Sequence, residues 1–309
     1  MNFEAPLGCG TALVTPMRAD GSPSPAIDEP ALAALVDWQV QSGINLLIPC
    51  GTTGEASTLT DAEWLRVIEI TIEVAAGRAA IFAGCTHNAT AVAVERATRL
   101  AKVKGLTGIL TASPYYNRPS QEGQFQHFRA IANAIAPMPV LLYNIPGRTG
   151  VNIEPATVLR LANACPNITG IKESSGNLPQ IAECITQARE NFRVYAGDDG
   201  IALDVIELGG AGLISVASNE IPAEMSDLVT AALQKNWPKA RGLNQRFAQL
   251  MKANFCEPSP APAKAVLSMM GKMTDTVRLP IVPVTAETRE KLTTIASDLG
   301  LLAKATAAH

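Results

Sequence analysis

The chain has 309 residues, 47% of them hydrophobic and 17% charged, with a formal net charge of -3. That apolar share is ample for one large core and excludes a globally disordered chain, while the slightly acidic balance speaks against a nucleic-acid binder. Its apolar runs, such as 79–83 and 140–143, are strand-sized, far short of the roughly 18 residues a membrane-spanning helix needs.

Near the N-terminus, Glu4 comes early, the first basic residue is Arg18, and no apolar segment of signal-peptide type separates them. Six cysteines are scattered without a C-x-x-C pair, which reads as small buried thiols in a reducing cytoplasm rather than disulfides or zinc ligands. Strands are expected to begin near Cys9, Asn45, Ala79, Gly108, Val140, Thr169, Arg193 and Gly212, with helical periodicity between them. The segment 61–76 shows the pattern: Trp64, Leu65, Ile68, Ile72 and Ala75 make an apolar stripe, and Arg66, Glu69 and Glu73 face elsewhere. Thr60 and Glu63 form a capping box at its start, and Gly77 is the expected stop.

Strand–helix units repeated eight times before about residue 235 predict an α/β fold, a closed (β/α)8 TIM barrel. An open dinucleotide-binding sheet should carry G-x-G-x-x-G after its first strand, and Thr11-Ala12-Leu13-Val14-Thr15-Pro16 stands there instead. Beyond Lys235 the pattern is helical only, over 238–254, 262–273 and 287–303, with proline-bearing connections at 257–260 and 279–283. The expected organisation is a barrel domain, 1–235, with a helical C-terminal domain, 236–309.

Reactive groups of a parallel barrel sit at the C-terminal ends of its strands. The sixth strand places Lys172 among apolar neighbours, where stripping the ammonium of water costs several kcal/mol unless it is paired. Either a neighbouring strand's carboxylate pairs with it, or the dry surroundings favour the neutral amine, the form that builds a Schiff base with a carbonyl. The second strand ends in Gly51-Thr52-Thr53-Gly54-Glu55, two hydroxyls between two glycines that let the backbone approach a ligand. Three of the four tyrosines, Tyr115, Tyr116 and Tyr143, fall at the ends of the fourth and fifth strands, and their hydroxyls can relay protons without placing a permanent charge beside the lysine. Arg148 offers a planar fork for a carboxylate. Asp198 and Asp199 read as turn formers or caps, and His87 and His127 lack metal-site or triad company, so no metal is expected.

These segments, with Ser113-Pro114-Tyr115-Tyr116-Asn117, Tyr143-Asn144-Ile145-Pro146, Gly170-Ile171-Lys172-Glu173 and Gly197-Asp198-Asp199 in the same order, resemble the dihydrodipicolinate synthase family of class I pyruvate aldolases. The resemblance covers nearly the whole chain. It implies condensation of pyruvate with L-aspartate 4-semialdehyde through a Schiff base on Lys172, without metal or organic cofactor. It further implies a proton relay of Tyr143, Thr52 and Tyr116, with Tyr116 delivered into a neighbouring subunit and Tyr115 packed at that interface. Thr53 matches the group holding the pyruvate carboxylate, Arg148 the one meeting the semialdehyde's carboxylate, and Gly197 and Ile214 positions whose carbonyls line the pocket. The implied assembly is a homotetramer of two dimers.

An N-acetylneuraminate lyase or 2-keto-3-deoxy sugar acid aldolase would share the lysine and the central tyrosine, and a catalytically silent keto-acid-binding barrel is the rival of another class. Arg148-Thr149-Gly150 and the Tyr115-Tyr116 pair favour the synthase; intact Lys172, Tyr143 and Thr52 oppose the silent barrel. Some family members grip lysine as a feedback inhibitor with a serine, a histidine and a glutamate where this chain has Ala56, Trp64 and Val92, although Asn88 and Tyr115 remain. Without the acid to pair the effector's ammonium, L-lysine is expected to inhibit weakly or not at all; strong inhibition below millimolar concentration in a steady-state assay would contradict this.

Overall fold

The computed structural model describes residues 5–22 and 24–302. In chain order the elements begin β1 (Gly8–Ala12), α1 (Glu29–Gln41), β2 (Leu46–Ile48), α2 (Asp61–Ala75), β3 (Ala80–Gly84) and α3 (Thr90–Leu100). They continue through β4 (Gly108–Ala112), α4 (Gln121–Ile135), β5 (Val140–Asn144), the short α5 (Pro146–Thr149), α6 (Pro155–Ala164) and β6 (Ile168–Glu173). The barrel is completed by α7 (Leu178–Gln187), β7 (Arg193–Ala196), α8 (Ala202–Glu207), β8 (Gly212–Ser215) and α9 (Pro222–Leu233). Three more helices follow: α10 (Trp237–Ala253), α11 (Ala261–Met269) and α12 (Ala286–Asp298).

Each strand pairs in parallel with the next, and β8 pairs with β1 from Gly8↔Gly212 to Thr11↔Ser215, closing the barrel. The side-chain alternation of a strand explains its two cores. Leu46, Ile48, Phe82, Leu110, Leu141, Tyr143, Tyr195 and Ile214 fill the interior, while intervening residues such as Leu47, Ile81, Ile109, Leu142 and Leu213 pack outward against the helices. No helix among the described residues is long and apolar enough to cross a membrane.

Helix boundaries differ from expectation at their C-terminal ends. α2 starts on the Thr60–Glu63 capping box but is left at Ala76, already in the left-handed region at φ 48, one residue before Gly77. α11 stops at Met269, short of the predicted 273, because Gly271 at φ 70 leaves the helical path. α12 stops at Asp298, and position 303 of its predicted span lies outside the described residues. All six cysteines are free, and Cys256 is exposed where a buried thiol was expected; it follows the end of α10, where no strand or helix covers it.

The C-terminal helices share the barrel's outer core through Phe247, Leu250, Val266, Leu267, Leu292 and Ile295. A buried ion pair adds a polar tie: Lys264 of α11 meets Glu55, from the loop after β2, and also donates to Thr276 O at 2.9 Å. Glu55 accepts from Arg278 N at 3.0 Å, and the Arg278 guanidinium binds Pro25 O, Thr58 O and Glu63. Burial pushes Lys264 below the ordinary lysine range against the opposing field of Glu55. Hydrogen bonds from Arg278 hold the Glu63 carboxyl down at about 2. The glutamate of the Gly-Thr-Thr-Gly-Glu run is thus a structural anchor that fixes the threonines before it. Lys264→Met leaves Glu55 buried without its cation and is expected to cost about 3–5 kcal/mol in urea unfolding; the Glu55→Gln/Lys264→Met pair should recover much of that loss.

Candidate active site

All six residues of β6 are buried, and its register aligns Tyr143, Lys172 and Tyr195 across three neighbouring strands. Ile171 packs in the outer core, so Lys172 faces the interior. The lysine is 4% exposed, and Nζ lies 4.6 Å from the centroid of the Tyr143 ring. Among the described residues no carboxylate lies within ion-pair distance of it. The paired alternative is therefore not what the fold builds.

The adjacent carboxylate is occupied on the other face of the strand. Glu173 accepts from Asn144 Nδ2 at 3.1 Å, Gln180 Nε2 at 3.0 Å and Ser175 N at 2.8 Å. Asn144 Nδ2 also donates to Asn152 Oδ1, and Asn144 Oδ1 accepts from Ile153 N, so the ends of β5 and β6 are clamped together with the loop between them. That clamp sets Tyr143 and Lys172 side by side. Asp199 likewise works within the fold: Ser215 Oγ and the Val216 and Ala217 amides donate to it, and Asp198 accepts from Gly200 N at 2.8 Å. Burial raises the Asp199 pKa above the ordinary carboxylate range. No metal-binding group of three His, Cys, Asp or Glu occurs among the described residues.

Above Tyr143, at the C-terminal ends of β2 to β5, a cavity of about 520 Å³ opens. Thr52, Tyr143, Arg148 and Tyr115 line it, together with Trp64 and His87, two residues whose place here the sequence reading missed. Trp64 comes from α2 and donates from Nε1 to Gly84 O at 2.9 Å, so its indole is fixed at the edge of β3. Arg148 sits on α5, a single helical turn to which the sequence analysis assigned no element, where Ile145 O accepts from the Arg148 and Thr149 amides. Pro146 begins that turn with a preset φ, the signal that could have revealed it.

Other expected site residues lie apart from the cavity wall. Thr53 is buried, Ile214 lies in the barrel interior, and Gly197 follows β7 beside the lysine stem. Tyr143 joins the two regions, since it touches Lys172 and lines the cavity. Tyr116 does not enter the site of its own chain: it is 89% exposed, on backbone held at φ 74. A Cβ on Gly197 would lie 1.9 Å from Ser174 Oγ and 2.9 Å from Lys172 Cε. Gly197→Ala is therefore expected to lower the unfolding free energy by about 1–3 kcal/mol through overpacking, read by denaturant titration; wild-type stability would mean that the space is not filled.

The chain matches the dihydrodipicolinate synthetase family over residues 5–299. It is 60% identical over 295 residues to the 4-hydroxy-tetrahydrodipicolinate synthase of Acidobacterium capsulatum, covering 96% of each chain. With the synthase of Koribacter versatilis it shares 55% over 302 residues, covering 98% of this chain and 99% of the relative. Among solved structures, the chloride-inhibited dihydrodipicolinate synthase of Acinetobacter baumannii complexed with pyruvate superposes with a TM-score of 0.91 at 41% identity, over 96% of this chain and 99% of that one. On this likeness across its length, the chain belongs to the dihydrodipicolinate synthetase family.

Proposed function

We propose that the protein condenses pyruvate with L-aspartate 4-semialdehyde to 4-hydroxy-tetrahydrodipicolinate, the lyase reaction named by its relatives and a step of lysine and diaminopimelate biosynthesis. The observation that carries the chemistry is Lys172: buried, without a carboxylate at ion-pair distance among the described residues, and set against the face of Tyr143. Its neutral amine adds to the ketone carbon of pyruvate, water leaves, and a protonated imine remains. The imine draws electrons as a methyl proton is lost, giving an enamine. The enamine carbon attacks the semialdehyde's aldehyde carbon, whose oxygen takes up a proton and becomes the 4-hydroxyl. The amino group of the adduct then closes on the imine carbon and expels the lysine amine. The iminium is itself the electron sink, so the route calls for neither metal nor organic cofactor.

Tyr143 stands where it can move protons during imine formation, linked through Thr52 to Tyr116. Thr53 holds the pyruvate carboxylate, Arg148 at the rim meets the carboxylate of the semialdehyde, and the carbonyls of Gly197 and Ile214 line the inner pocket. Because Tyr116 is exposed on its own chain, it completes the relay from a neighbouring subunit, with Tyr115, itself 40% exposed, packed at the contact. A homotetramer of two dimers accommodates this and suits the low charged fraction. We assign the chemistry to the barrel, 1–235, and read 236–309 as a second unit whose described part braces the barrel through Lys264 and Arg278. Six free thiols suit a reducing cytoplasm.

Borohydride with pyruvate should add one pyruvate-derived mass to Lys172 and abolish turnover, while Lys172→Ala should take no adduct and lose at least about a thousandfold in kcat. An active protein that gives no adduct at Lys172 would end this reading; turnover of N-acetylneuraminate instead of the semialdehyde would reassign the substrate.

A further inference from the structure

The cavity and the lysine leave one nearby polar group unaccounted for. Ser174 follows β6 two residues after Lys172, so its side chain returns to the same face of the strand path. Its backbone is fixed by donation from Ser174 N to Asn144 O at 2.8 Å. Ser174 Oγ is buried and has no hydrogen-bond partner among the described residues. The missing side chain of Gly197 locates it: the place a Cβ would take there lies 1.9 Å from Ser174 Oγ, 2.9 Å from Lys172 Cε and 3.0 Å from Lys172 Cγ. The hydroxyl and the lysine stem therefore border the same small space over Gly197, and the Cε that reaches it is one bond short of Nζ. Lys172 Nζ, for its part, makes no hydrogen bond among the described residues.

We propose that Ser174 is a positioning residue whose hydroxyl accepts a hydrogen bond from the N–H of the protonated imine at Lys172. The inference rests on the Schiff-base reading above. An iminium nitrogen carries one N–H and no lone pair, whereas a serine oxygen has two lone pairs to offer, so the two unpartnered groups are complementary. Leaving a charged donor unpaired in a dry site is costly, and hydrogen bonds to charged groups are the stronger kind. The Tyr143 face attracts the cation but gives the N–H no directional acceptor, and the Tyr143 hydroxyl is needed for proton transfer. Rotation about the terminal Cδ–Cε bond is the motion that brings Nζ to Oγ. Once made, the bond fixes the imine plane, and with it the face of the enamine turned toward the cavity. Glycine at 197 is what leaves room for the arrangement.

The test uses the full-length enzyme with pyruvate alone, following exchange of the pyruvate methyl protons with deuterium by NMR and borohydride trapping at Lys172. Ser174→Ala is expected to slow methyl exchange about tenfold or more without lowering the melting temperature. Ser174→Cys, which fills the space with a weak acceptor, should behave like alanine. Exchange at the wild-type rate in Ser174→Ala, or restoration of that rate by cysteine, would overturn the proposal, the second because volume alone would then suffice. Wild-type enzyme that traps no pyruvate would instead overturn the Schiff-base reading itself.

Discussion

A lysine without a counter-ion inside a barrel is the constraint around which this structure is organised. An ammonium removed from water loses several kcal/mol of solvation, and the usual remedy is a carboxylate beside it. Here the nearest carboxylate in sequence, Glu173, is turned to the opposite face and occupied by Asn144, Gln180 and a backbone amide. What Lys172 receives is an aromatic face, which favours a cation weakly and leaves the nitrogen's lone pair available whenever the proton departs. Stability is given up at one residue and supplied by the packed barrel around it.

Two other fully buried ionisable side chains are treated in the opposite way. Lys264 has Glu55 and a backbone carbonyl; Asp199 has a hydroxyl and two amides. Both hold chain segments at the C-terminal end of the barrel, Lys264 by pinning the loop that carries Thr52 and Thr53, and Asp199 by pinning the turn after β8. Lys264 and Asp199, each held by partners, serve as struts, and Lys172, with no acid beside it among the described residues, is left for reaction. The contrast within one chain is a stronger pointer to chemistry than the burial of Lys172 alone.

Much of this was legible in the sequence because its signals are local. Apolar runs of strand length, the Thr60–Glu63 capping box and the absence of a glycine-rich dinucleotide fingerprint led to the closed barrel. Lys172 stood out because a strand otherwise apolar gives a lysine no local reason to be there. Helix ends at Ala76, Met269 and Asp298 were less readable, since a left-handed residue can end a helix without being glycine and a glycine two residues on can end it early. The α5 turn escaped because four residues show no period.

By itself, then, the sequence determined the order of elements, the strand bearing the lysine and the motifs at the strand ends, since each depends on residues within a few positions of one another. Only the tertiary structure decided that Lys172 has an aromatic neighbour and, among the described residues, no acid, that Glu55 belongs to Lys264 some 209 positions away, and that Ser174 Oγ fills the space beside Gly197. It also decided that Tyr116 turns out of its own site. The physical reason is closure: side chains on neighbouring strands meet only when the sheet closes on itself, and the register that sets Tyr143 beside Lys172 is a property of the whole barrel.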